Sequence, residues 1–255
     1  GSIDASPVGG TPQSILATQR NPVQYFQQPD GALHLGAART SLSGDAEQIT
    51  FGKVGGGITR LQTSYNRMSP GFESNDLGYL QRADLQNWSN LLSLDFNTPS
   101  LFYNSAFLNF NQWTYWNNAG LLLERAMSTS WRFILRDNFG IGLGAVASQL
   151  PGTFGDRASR GGPAVRHSPF YSGVLNLLGD DRKQLIPALN MNVGRSDYGR
   201  GHYYDLNPSV DLRVSSRFHT NLGVEYNHSI DDTQWFGNFT DSTDVTHYTF
   251  AHLNH

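Results

Sequence analysis

The chain has no cysteine, which excludes disulfides, thiol nucleophiles and thiolate metal sites together. Charge is sparse as well: Asp, Glu, Lys and Arg make up 15% of 255 residues, and the formal net charge is −3. With no Lys/Arg block anywhere, the electrostatic footprint of a nucleic-acid binder is missing. Long hydrophobic runs are missing too. The longest uncharged stretch, Phe96 to Leu123, is broken by Asn, Gln, Thr and Pro99, so no transmembrane helix is expected. Gly1 to Thr11 lacks the basic start and apolar run of a signal peptide. The expectation is that a leader was removed or that this is an internal piece.

What the chain does have is glycine (27 residues), aromatic side chains (12%) and many Asn, Ser, Thr and Gln. That mixture suits many strands joined by turns and disfavours a helical enzyme. The strongest signal is a two-residue rhythm. From Leu121 to Arg136 the odd positions include Leu121, Leu123, Met127, Trp131, Phe133 and Leu135, and the even ones include Glu124, Ser128, Ser130, Arg132 and Arg136. Alternate residues of a strand point to opposite faces, so this stretch makes a ribbon with one apolar and one polar side. Strands of ordinary soluble domains run to about five or six residues, and membrane-barrel strands need about nine to eleven to cross the hydrocarbon. The length points to lipid, with Leu123, Phe133 and Leu135 outward and Arg132 and Arg136 inward.

Strands are predicted along most of the chain. The first forty residues, with Pro7, Pro12, Pro22 and Pro29, read as loop with one short strand around Gln24 to Phe26. Gln48 to Val54 and Ile58 to Tyr65 flank Gly55-Gly56-Gly57 as a hairpin, and Trp88 to Phe96 follows. Leu101 to Trp116 should pair with Leu121 to Arg136 through a turn at Asn117 to Gly120, with Trp113, Tyr115 and Trp116 suited to an interfacial girdle. Phe139 to Ala147 and Pro169 to Leu178 are separated by a loop from Pro151 to His167. A further hairpin spans Val210 to Tyr226, and Thr246 to Leu253 alternates again. About a dozen strands without a helix make an all-β protein, either an antiparallel outer-membrane β-barrel or a two-sheet sandwich.

No catalytic constellation emerges. Glu73, Asp76 and Asp84 could offer oxygen ligands or an acid/base pair, but their spacing fits no EF-hand or other metal template. A turn whose Asn75 and Asp76 bond nearby backbone is the simpler reading. Arg157, Arg160 and Arg166 bracket Gly161-Gly162 outside any phosphate-loop context. The histidines lack a zinc pattern, and no serine sits in a GxSxG elbow. The segments 69–84 and 159–163 are expected at strand ends or folded over a barrel mouth. There Glu73, Asp76 or Asp84 would pair with Arg82, Arg157 or Arg160 as a loop brace.

Four segments carry a resemblance: Arg39 to Gly44, Ser69 to Asp84, Ser159 to Pro163 and Thr246 to Ala251. Together, and in this order, they resemble a bacterial domain family of uncharacterised function over about Ser14 to His255. That family typically follows a carbohydrate-binding family-nine-like module, and its C-terminal portion is similar to a TonB-receptor-like outer-membrane barrel. The module is missing here and relatives continue further, so the resemblance implies a piece of a larger protein, with no catalytic residues or cofactor to carry over. The resulting expectation is one non-enzymatic barrel domain or barrel fragment in the bacterial outer membrane. It would contact lipid, bind or pass a glycan or other small solute, or act with envelope protein partners. The alternative is a soluble all-β carbohydrate-binding or glycoside-cleaving domain.

Overall fold

A computed structural model describes residues 11–29, 31–39, 41–74, 79–215 and 217–254. One helix opens it, α1 (Pro12–Gln19). Six strands follow: β1 (Ala46–Lys53), β2 (Thr59–Met68), β3 (Leu85–Phe96), β4 (Tyr103–Trp116), β5 (Leu122–Leu135) and β6 (Gly140–Ser148). A two-residue pair, β7 (Phe154–Gly155) and β8 (Val165–Arg166), lies inside the next loop. The remaining strands are β9 (Phe170–Leu178), β10 (Leu185–Ser196), β11 (Gly201–Ser215), β12 (Phe218–Gly223), β13 (Tyr226–Thr240) and β14 (Thr246–Asn254).

All but β7 and β8 belong to one twelve-stranded antiparallel sheet, ordered β1-β2-β3-β4-β5-β6-β9-β10-β11-β13-β14 with β12 also on β11. The protein is thus all-β and antiparallel. Among the described residues no ladder joins β1 to β14, so the sheet is open rather than a closed barrel. β12 and β13 are one strand in physical terms, since Gly223 pairs with Ser209 and Tyr226 with Leu206 in the same register. Proline causes the break between them. Pro208 accepts a hydrogen bond from Val224 N at 3.0 Å but has no N–H to return, so the ladder lapses opposite it.

The predicted hairpin of residues 101–136 forms as β4 and β5. Its turn is locked by Asn117, whose Oδ1 accepts from Leu121 N at 2.8 Å, and by Gly120 at φ +90°. Two expectations are corrected. Residues 12–19 are helical rather than loop, because Thr11 caps the first turn (Oγ1 accepts from Ser14 N at 3.3 Å) and Pro12 at the first turn presets φ. The short strand expected around Gln24 to Phe26 is instead an irregular buried segment.

Register sorts the side chains. Following the ladders from β1 to Ile230, one face carries Ile49, Phe51, Leu61, Trp88, Leu92, Phe110, Met127, Trp131, Phe133, Leu143, Leu175, Met191, Leu206, Val210 and Leu222. The other carries Ser64, Asn87, Ser89, Asn109, Asn111, Ser128, Ser130, Arg132, Asn176, Asn190, Asn192, Asp205, Asn207 and Asp211. Phe133 lies on the apolar face and Arg132 on the polar one, as the alternation requires, whereas Leu123 falls at the register shift beside Trp116 and is buried, only 6% exposed. Charges on the apolar face stand toward strand ends: Glu47, Lys53, Arg67, Arg125 and Arg195. Among the described residues no second layer covers this face, and Phe110, Met127, Trp131, Leu143, Met191, Leu206 and Leu222 are 38–62% exposed.

Candidate functional site

The described residues of segments 11–45, 69–84 and 149–168, largely outside strands, gather at the end of the sheet marked by Met68, Leu85, the β4–β5 turn and Ser148. They form a cap with a mostly polar interior. Gln19 is buried and clasps the Gly36 backbone with both ends of its amide, Oε1 accepting from Gly36 N at 2.8 Å and Nε2 donating to Gly36 O at 2.9 Å. The chain around Gly44 lies against Gly71 and Phe72 so closely that a Cβ on Gly44 would sit 2.1 Å from Phe72 N. The same approach would put a Cβ on Gly71 2.2 Å from Ser43 O. Two of the motifs singled out in the sequence meet there, and only glycine permits it.

Most of the sequence-predicted residues fall within or beside this cap. Glu73 accepts from Gln24 Nε2 and from Ser74 N, both at 2.9 Å. Asn75 and Asp76 lie outside the described residues. Asp84 is buried at φ +55°, a conformation that Asp tolerates better than most. Its Oδ1 accepts from Asn118 N and Nδ2, each at 2.9 Å, and its Oδ2 from Gln28 Nε2 at 3.2 Å. Asp84 therefore ties the entry of β3 to the β4–β5 turn and to the N-terminal segment.

The arginine–carboxylate pair that links segment 69–84 to the loop of 149–168 is not one of those expected, since Arg82 meets Asp156 rather than Arg157 or Arg160 meeting Asp84. Arg82 grips Asp156 through both terminal nitrogens, NH1 to Oδ1 at 3.0 Å, and Asp156 is only 3% exposed. Arg157 spreads over the Tyr25 ring, 4.8 Å from its centroid, and donates to Pro22 O and Val23 O. Burial, and secondly the neighbouring Arg82 guanidinium, draw its pKa down to about 10, so it stays cationic at neutral pH. Arg160 sits 4.0 Å over the Trp235 ring, and Asn238 Nδ2 donates to Ser159 O at 3.1 Å. The second motif loop thus reaches from the N-terminal segment to the β13–β14 hairpin.

Asp156 and the buried Gln19, Gln24 and Gln28 escape sequence reading because nothing in their spacing separates them from solvated loop residues. The Tyr25-Phe26 pair inside a proline-rich polar stretch was the available signal. This arrangement is a brace: carboxylates are consumed by protein donors, and among the described residues no group of three His, Asp or Glu could hold a metal ion.

A second feature lies on the polar face of the sheet. A hollow of about 780 Å³ opens over β4, β5, β6 and β9, where Asn109, Ser130, Arg132 and Asn176 stand among the apolar Phe107, Val146, Val174 and Leu178. Among the described residues no helix is long and apolar enough to cross a membrane.

No curated protein and no solved structure matches this chain. One family model does, a domain of unknown function designated DUF5916, over residues 11–254, which takes in the cap and every strand of the sheet. The chain belongs to that family.

Proposed function

We propose that this chain is the wall of a non-enzymatic bacterial outer-membrane β-barrel that binds or passes a polar solute, a glycan foremost. One observation carries the reading: a largely apolar face, interrupted in mid-sheet by Thr63, Asn90 and Gln112 and uncovered by any other layer among the described residues, runs across the antiparallel strands with charges held toward the strand ends, and a face richer in amides and hydroxyls lies behind it. A sandwich would bury such a face against a second sheet. Lipid accepts it, and backbone groups in the hydrocarbon are then satisfied by the ladders. Nearly all main-sheet strands run 8–15 residues, against the nine to eleven or so that span a bilayer. Tyr65, Trp88 and Trp116 lie toward the capped end of the apolar face, where an aromatic belt belongs.

On this reading the polar face lines the lumen, the cap stands at one mouth, and open sheet edges require further strands or a partner for closure in lipid. The ladder of the amides Asn176, Asn190, Asn192 and Asn207 with the Asp205 carboxylate, linked by side-chain hydrogen bonds, presents the donors and acceptors that suit a hydroxyl-rich solute. The test is refolding with and without detergent. The expected outcome is a folded, heat-modifiable species only in detergent or lipid. A folded, monodisperse protein in plain buffer overturns the barrel and leaves the soluble carbohydrate-binding alternative.

A further inference from the structure

Most charges on the polar face have a partner, ionic or hydrogen-bonded. Asp95 lies 3.8 Å from Arg60, and Asp211 lies 3.5 Å from Arg213 and also meets His219. Asp205 is held by Asn192 at 3.1 Å and Asn207 at 2.9 Å, and Glu124 accepts from Trp113 Nε1 at 3.2 Å. Of the three arginines that the ladders place on this face, Arg60, Arg132 and Arg213, Arg132 is the one with no carboxylate beside it among the described residues. It is also the one that lines the hollow.

Glycines stand in the floor of the hollow. A Cβ on Gly144 would reach van der Waals contact with Val174, 3.5 Å from its Cβ, so a larger side chain there would extend from the floor into the hollow. Polar groups converge on it. Asn176 Oδ1 is occupied by Asn190 Nδ2, which leaves Asn176 Nδ2 to donate, and that nitrogen lies over Gly142. Ser130 and Asn109 stand on the β4–β5 side, 3.4 Å apart from oxygen to nitrogen, and Phe107 offers a ring beside Arg132. A guanidinium fork with neutral donors around it matches the geometry of a carboxylate or phosphate, and an unneutralised cation in a concave wall raises the local concentration of anions.

We infer that this hollow is a binding subsite for the anionic group, carboxylate or phosphate, of a polar solute. The inference deepens the barrel reading, in which the hollow faces the lumen.

The test uses the protein refolded in detergent, with trigalacturonate as the carboxylate probe, glucose 6-phosphate as the phosphate probe and maltotriose as the neutral control, all by titration calorimetry. At least one anionic probe should bind more tightly than maltotriose, and the stronger of the two identifies the anion. Arg132→Gln should weaken that binding about tenfold or more. Arg132→Lys should fall between, keeping the charge without the fork. Gly144→Leu should block the hollow, whereas Arg60→Gln, whose charge Asp95 already meets, should leave binding unchanged. Heat-modified gel mobility checks that each variant is folded. The subsite is overturned if neither anion binds better than maltotriose, or if Arg132→Gln binds like the parent protein. The barrel reading fails separately: anion binding that depends on Arg132 in a protein folded without detergent keeps the subsite and removes the lumen.

Discussion

The cap and the sheet solve the burial problem in opposite ways. Among the described residues, fourteen polar or charged side chains are buried against nine apolar ones, and five of those nine, Val23, Tyr25, Phe26, Leu42 and Ala83, belong to the cap or its junction with β3. The sheet contributes only Ala106, Leu123, Ala126 and Ile186, although it holds most of the chain's large apolar residues. A water-soluble domain of this length hides its apolar side chains and shows its polar ones. Here the cap is held by hydrogen-bonded and ion-paired polar groups, although Gln28 Oε1, Thr153 Oγ1 and His167 Nδ1 are buried in it without a partner among the described residues, and the sheet turns its apolar area outward. The two regions therefore respond to different perturbations: the cap to a lost hydrogen-bond partner, the wall to a misplaced charge.

The largest effect is expected from Arg82→Ala, which leaves the nearly buried Asp156 carboxylate without its cation. Breaking such a pair costs about 3–5 kcal/mol. Urea unfolding should show it, with Arg82→Lys recovering part, and a loss under about 1 kcal/mol would break the view of the cap as ion-braced. On the wall, Phe133→Arg should cost about 2–4 kcal/mol in lipid, whereas Ser128→Arg on the opposite face should cost little. Equal tolerance of the two, read from heat-modified mobility in liposomes, would erase the distinction between the faces.

A smaller effect belongs to the polar face near the cap. Tyr203 lies flat across β10 and stacks with Phe170, ring centroids 6.3 Å apart at 12°, because Gly194 beneath has no side chain. A Cβ there would meet the Tyr203 ring at 2.1 Å. Gly194→Ala should cost about 1 kcal/mol through the lost stack. The penalty should vanish in a Tyr203→Leu background, which a double-mutant cycle measures.

The smallest effect is one of pH. Burial pushes the His167 imidazole below its ordinary pKa, with a bond to the Leu123 backbone opposing in part. The unfolded chain then binds a proton that the folded chain refuses, so stability rises with pH between the folded value and about 6.5 and falls as the solution is acidified through that window. His167→Gln should flatten the slope of melting temperature against pH. An unchanged slope would place the sensitivity elsewhere.

Periodicity of two made β4, β5, β6 and β9 legible, since each alternates over many residues with clear turn chemistry between them. β10 was not read because Pro187 interrupts Leu185 to Ser196. The structure tolerates it at the end of the β9–β10 ladder, just beyond Leu178, where Pro187 O still accepts from Gly179 N at 2.7 Å and the ladder lacks only the N–H that proline does not have. β13 was underestimated because Asp231, Asp232, Gly237 and Asn238 blur its alternation, and its ladder to β14 shifts register twice. The site was legible only in part. Glu73, Arg82, Asp84 and Arg157 all belong to the brace, yet their partners, Gln24, Gln28, Asn118 and Asp156, come from segments 34–74 residues away whose composition says only loop.

The reach of the second motif loop bears on how the chain assembles. Residues 22 and 23 are held by Arg157, and Arg160 is in turn held by Trp235 of the penultimate strand. The cap therefore closes contacts of very long sequence separation, whose chain entropy is lost before any of their favourable interactions form. The β4–β5 hairpin, nucleated by its Asn117 turn, needs nothing beyond itself to register. The N-terminal segment docks on Glu73, Asp84 and Arg157, so its place depends on residues that follow it by as many as 135 positions.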